Sequence, residues 1–73
     1  MIEWRYTGKE MYEAQIGPVL VQLATHYAMP ELWLCTRVDI GTQPLRAKNL
    51  EDAKQETELL VRKYAEDILK AFE

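Results

Sequence analysis

The chain has 73 residues, 48% of them hydrophobic and 29% charged, with a formal net charge of −3. That length holds one domain (residues 1–73), near the size at which a single core only just stabilises a fold, and the composition excludes a disordered chain. No apolar run approaches the roughly 18 residues of a membrane span, and Glu3 and Arg5 do not suit a signal peptide; with Cys35 as the single cysteine and so no internal disulfide, a cytoplasmic protein is expected.

In chain order, Ile2 to Tyr6 reads as a short first strand, followed by a turn at Thr7, Gly8 and Lys9. Met11 to Ile16 alternates, with Tyr12, Ala14 and Ile16 on one side and Glu13 and Gln15 on the other. Gly17-Pro18 interrupts the pattern, since Pro18 donates no hydrogen bond and suits a strand start or an edge. Val19 to Thr25 resumes as a strand, with Val19, Val21 and Leu23 opposite Leu20, Gln22 and Ala24. His26 to Pro30 forms a loop. Glu31 to Asp39 is the strongest strand, alternating Leu32, Leu34, Thr36 and Val38 with Trp33, Cys35 and Arg37. Ile40, Gly41 and Thr42 turn the chain, and Gln43 to Ala47 is a short edge strand limited by Pro44.

From Asn49 onward the period changes to that of a helix. Asn49 is a good N-cap and Asp52 follows three residues later, in a capping-box-like pair. Leu50, Ala53, Thr57, Leu60, Val61, Tyr64, Ala65, Ile68, Ala71 and Phe72 then form one apolar stripe. A helix over about Leu50 to Ala71 is predicted, with Leu60, Tyr64 and Ile68 inside.

Short connections require antiparallel pairing, because a parallel crossover needs a dozen or more residues. The helix stripe must be covered, and one sheet face is its available partner. The expected fold is therefore α+β: an antiparallel β-meander of three to five strands, covered on one face by one long C-terminal helix. The mixed Trp33, Cys35 and Arg37 side is expected to face outward. A helix of this length, roughly 33 Å, outreaches strands of roughly 20–23 Å. Its end, with Ile68, Leu69 and Phe72, should overhang the sheet, and Leu59 lies off the stripe. Leu59, Leu69 and Phe72 are thus the candidate partner contacts, for another protein or for a second copy in a homodimer.

Charge is divided unevenly. Residues 1–48 carry five basic and five acidic side chains, whereas the helix and its end carry four basic and seven acidic. An acidic helix repels phosphate and does not suit a nucleic-acid groove. Its outer face reads as solvated and supported by Glu58–Arg62 and Glu66–Lys70 pairs.

No catalytic, cofactor-binding or metal-ligating set emerges. His26 is the only histidine and sits in a loop with no nucleophile or orienting carboxylate beside it in the sequence. Cys35 lies mid-strand, where a small buried side chain is expected, with nothing basic or helical before it to lower its pKa. Glu51 and Asp52 suit the positive end of the helix dipole. The glycines are scattered and form no phosphate loop, and no metal-ligand spacing occurs. The chain reads as non-enzymatic.

The rival reading is a nucleic-acid-binding sheet face made by Arg37, Arg46 and Lys48 with Arg5, Trp4, Trp33 and Tyr6. A strand meander leading into Leu50-Glu51-Asp52-Ala53-Lys54 is similar to the small three-stranded DNA-binding domains of integrases, and it resembles the folded domain of Hic-type antitoxins. The acidic balance and the neutral strand region count against nucleic acid as the partner. Trp4, Tyr12 to Gly17, Trp33 and Asn49 to Lys54 together resemble small phage and prophage proteins with a β-meander and a final helix. That resemblance implies an accessory protein that acts by binding a protein partner.

Overall fold

The computed structural model describes residues 2–37 and 41–73. These form strands β1 (Arg5–Gly8), β2 (Met11–Ile16), β3 (Val19–Thr25), β4 (Trp33–Arg37) and β5 (Gly41–Pro44), then helix α1 (Leu50–Lys70). The strands lie side by side in chain order, each antiparallel to the next. The fold is thus the α+β meander with one C-terminal helix that the alternation and short connections dictate. Val38, Asp39 and Ile40, expected at the end of β4 and in the following turn, lie outside the described residues.

Strands β1 and β5 shift along the chain for local reasons. β1 starts and ends later than expected because the first turn falls on Lys9 and Glu10, whose φ angles of 53° and 60° are those of a type I′ hairpin. Its tip is held by the Glu10 amide, which donates to the Tyr6 hydroxyl at 3.1 Å. The second turn uses Gly17 at φ 58° ahead of Pro18, the glycine-first order of a type II′ turn. β5 comes earlier than expected, at Gly41–Pro44. Leu45 and Ala47 are instead buried in the segment that carries the chain from the sheet edge to α1.

The pairing register sorts the side chains into two faces. Tyr12, Leu23 and Cys35 align in one row, and Ala14, Val21 and Arg37 in the next. These rows lie under α1: Ala14, Val21, Leu23 and Cys35 are buried, and the Arg37 guanidinium sits 4.8 Å from the centre of the Tyr64 ring. The expectation that Trp33, Cys35 and Arg37 face outward is therefore wrong. Cys35 belongs to the core with Leu45 and Ala53, and Trp33 packs against that cluster. The open face carries a polar row, Arg5–Glu13–Gln22–Thr36–Thr42, and beside it Ala24, Leu34 and Pro44. Arg5 and Glu13 form an ion pair there, and the Thr36 and Thr42 hydroxyls share a 2.8 Å hydrogen bond.

The helix begins as its sequence requires. The Asn49 side-chain oxygen accepts from the Asp52 amide at 2.9 Å, while its Nδ2 donates to Asp52 Oδ2 at 3.1 Å. Glu51 and Asp52 occupy the first turn, where negative charge is favoured. The fully covered positions are Ala53, Thr57 and Val61, one every fourth residue. Small side chains along this line let α1 approach the sheet closely, so the larger Leu50, Leu60 and Tyr64 flank it and are half-buried. Ile68, expected inside, is 43% exposed: it lies past the strands, and every residue from Ala65 to Glu73 is exposed. At 21 residues, α1 is about 32 Å long, whereas the seven residues of β3 reach about 23 Å.

The segment between β5 and α1 is fixed by Glu56. Its carboxylate accepts from the Arg46 amide at 3.0 Å and from the Ala47 amide at 2.9 Å. The Leu45 amide donates to the Trp33 carbonyl at 2.8 Å. These bonds press Leu45 and Ala47 into the core. The expected Glu58–Arg62 pair is not formed among the described residues, because Glu58 accepts from the Trp4 indole instead.

Candidate functional site

A groove of about 700 Å³ lies between α1 and the β2–β3 hairpin. One wall is Ile16, Gly17, Pro18 and Val19, apolar because a hairpin that packs under a helix must turn inside the core's edge. Val61 lines the inner part, and Leu59, Ala65 and Ile68 line the helix side. The N-terminal arm closes one end: Ile2 is half-buried, and Trp4 Nε1 donates to Glu58 Oε2 at 3.0 Å. Gln55, Glu58, Arg62 and Tyr64 bring polar side-chain groups to the lining. An apolar interior with a few polar groups suits a hydrophobic side chain or ligand.

The three residues expected to touch a partner are exposed, Leu59 and Leu69 by 63% and Phe72 by 84%. Leu59 lines the groove, while Leu69 and Phe72 stand on the free end of the helix beyond it. Winding continues past Lys70, with the Ala71 amide donating to the Ile68 carbonyl at 3.0 Å and the Phe72 amide to the Leu69 carbonyl at 3.1 Å. Phe72 thus continues the side of α1 that carries Ala65 and Ile68, with Leu69 beside it, whereas Leu59 stands on the groove's outer rim, well round the helix from them. Sequence reasoning missed Ile2, Ile16, Pro18 and Val19 as groove walls. The available signal was the turn itself, since Gly17-Pro18 is flanked by β-branched residues rather than polar ones.

The residues of the nucleic-acid reading are not gathered on an open sheet face. Arg37 lies on the covered side against Tyr64, Arg5 is paired with Glu13 on the other side, and Arg46 and Lys48 are exposed in the segment before α1. Trp4 and Trp33 pack against the core cluster.

The groups with reactive chemistry are occupied structurally. Burial pushes the Cys35 thiol above its ordinary pKa, opposed by contact with the Thr57 hydroxyl and by the Arg37 charge. A thiol held protonated is a poor nucleophile. The Thr57 hydroxyl is fully buried without a proper hydrogen-bond partner; its contact with the thiol is the nearest substitute. His26 Nδ1 accepts from the Ala28 amide at 3.0 Å, and its ring stacks on Tyr27 with centroids 4.8 Å apart, so the imidazole shapes the β3–β4 loop. Among the described residues no group of His, Cys, Asp or Glu side chains could hold a metal ion, and no helix is long and apolar enough to cross a membrane.

No family model, curated protein or solved structure matches the chain.

Proposed function

We propose that the chain is a small non-enzymatic protein-interaction module whose contact surface is the groove together with the free end of α1. The supporting observation is adjacency: Ala65 and Ile68 line the groove, Phe72 continues their side of α1 past the sheet with Leu69 beside it, and Leu59 stands on the groove's outer rim. An apolar patch of this kind on a small domain is what a partner-binding surface offers, and an exposed aromatic at its tip is a typical binding anchor. The phage and prophage resemblance supports the role of an accessory protein that works through such a contact. The position of Arg37 under α1, over Tyr64, weighs against nucleic acid as the ligand.

Photo-cross-linking tests this reading. A photoreactive amino acid would replace Leu59, Phe72, Gln22 or Lys48 in separate variants, expressed in cells that encode the protein. Protein adducts from positions 59 and 72, with position 22 on the open sheet face silent, are expected. Adducts confined to position 22, or nucleic acid captured at position 48, would contradict it.

A further inference from the structure

Val61, Ala65, Ile68 and Phe72 follow one another at spacings of four, three and four residues. That is the spacing of a seam along which two helices pack side by side. Only Val61 is buried by the chain's own sheet; Ala65, Ile68 and Phe72 are exposed. The seam lacks a facing helix. We propose that the facing helix is α1 of a second copy, running antiparallel, in a two-fold dimer where each Phe72 enters the other copy's groove. This rests on reading the groove as a protein-contact surface and names its occupant.

Register favours a second copy. When two such seams lie antiparallel with Ala65 beside Ile68 of the second copy, Phe72 falls level with Val61 of that copy, the buried residue lining the groove. The largest side chain of the seam thus meets the open space, and the small Ala65 meets the branched Ile68. Each contact is made twice, as a two-fold interface requires.

Charge agrees with this register. Arg62 lies on the flank of the seam that also carries Leu69 and Glu73, by the 3.6-residue period. In the antiparallel pair it comes within one helical turn of Glu73 of the second copy, near the carbonyl end of that copy's helix, where a cation is favoured. Lys63 and Lys70 point away from the seam. A residue like Phe72 buries about 150–250 Å² on its own. With Ile68, Leu69 and the groove walls counted on both copies, the contact reaches about 1,200 Å², the lower end for a specific dimer.

Sedimentation and light scattering over a concentration series test the proposal on the full chain. The parent should pass from monomer to dimer, and Phe72→Asp should weaken dimerisation about thirtyfold or more. Thr36→Asp on the open sheet face should leave it unchanged. Because Phe72 is 84% exposed, Phe72→Asp should keep the parent's circular dichroism. In a Cys35→Ala background, mixed Ala65→Cys and Ile68→Cys chains should form a disulfide-linked heterodimer faster than either chain links to itself. A monomer at every concentration, or a dimer unaffected by Phe72→Asp, would overturn the proposal. A monomer whose position 72 still cross-links to another protein would overturn the dimer while leaving the interaction module intact. Loss of both would remove the two together.

Discussion

The Trp4 indole donates to the Glu58 carboxylate at 3.0 Å across 54 residues of chain, and this bond fastens the N-terminal arm to the helix. It also closes one end of the groove, because Ile2 follows the arm into its lining. Trp4→Phe keeps an aromatic ring and removes the donor. A loss of about 1 kcal/mol in urea unfolding is expected, toward the low side for a hydrogen bond to a charged group since the site is only partly buried. Glu58→Gln should cost less, because an amide oxygen still accepts. A Trp4→Phe variant as stable as the parent would show that the arm is held by packing alone.

Glu56 holds the Arg46 and Ala47 amides. Removing it leaves both donors to find water, and Leu45 and Ala47 lose the clamp that keeps them buried. Glu56→Ala should cost about 1–3 kcal/mol, with faster hydrogen exchange at amides 46 and 47 than elsewhere. Exchange unchanged at those amides would contradict the role assigned to the carboxylate.

Thr57 presents the opposite case. Its buried hydroxyl has no proper partner, and an unpaired buried hydroxyl costs about 1–3 kcal/mol by mutational measures. Thr57→Val replaces it with a methyl group of similar size, so the melting temperature should hold or rise. A loss above about 1 kcal/mol would mean that the contact with the Cys35 thiol outweighs the desolvation of the hydroxyl.

Cys35 gives a pH dependence with a definite sign. Its folded-state pKa is raised by burial, whereas the unfolded chain ionises near the ordinary value of about 8.5. Below that value both states hold the proton and the contribution is constant. As pH rises through it, the unfolded state loses protons that the folded state keeps, so stability falls until the folded thiol also ionises. Denaturation curves from pH 7 to about 9.5, a window set by the thiol's ordinary value, should decline more steeply for the parent than for Cys35→Ala. Parallel curves would contradict a buried, protonated thiol.

The antiparallel meander and the helix boundaries were legible because local rules decide them. Gly17-Pro18 forces a turn, Asn49 caps a helix, and connections of a few residues permit only antiparallel pairing. The direction in which β4 faces was not legible. Leu34 and Cys35 are both apolar, and Arg37 reads as a surface residue until Tyr64 supplies an aromatic ring for its charge. The helix stripe was broader than its contact, and Leu60 and Ile68 drew attention by size. Close approach instead selects Ala53 and Thr57, and nothing in their chemistry marks them as the deepest positions. The overhang followed from counting residues against strand length. The groove needed the hairpin, the arm and the helix placed together, which no single segment encodes.

The dilution series of an amide proton–nitrogen correlation spectrum tests most directly where the chain meets its partner. With a second copy in the groove, resonances of Ile16, Val19, Ala65, Ile68 and Phe72 should shift together as concentration rises, while Gln22 and Thr36 on the open sheet face stay fixed. Shifts centred on Gln22 and Thr36, or a spectrum unchanged from the lowest to the highest concentration, would contradict the groove and helix end as the site of self-association.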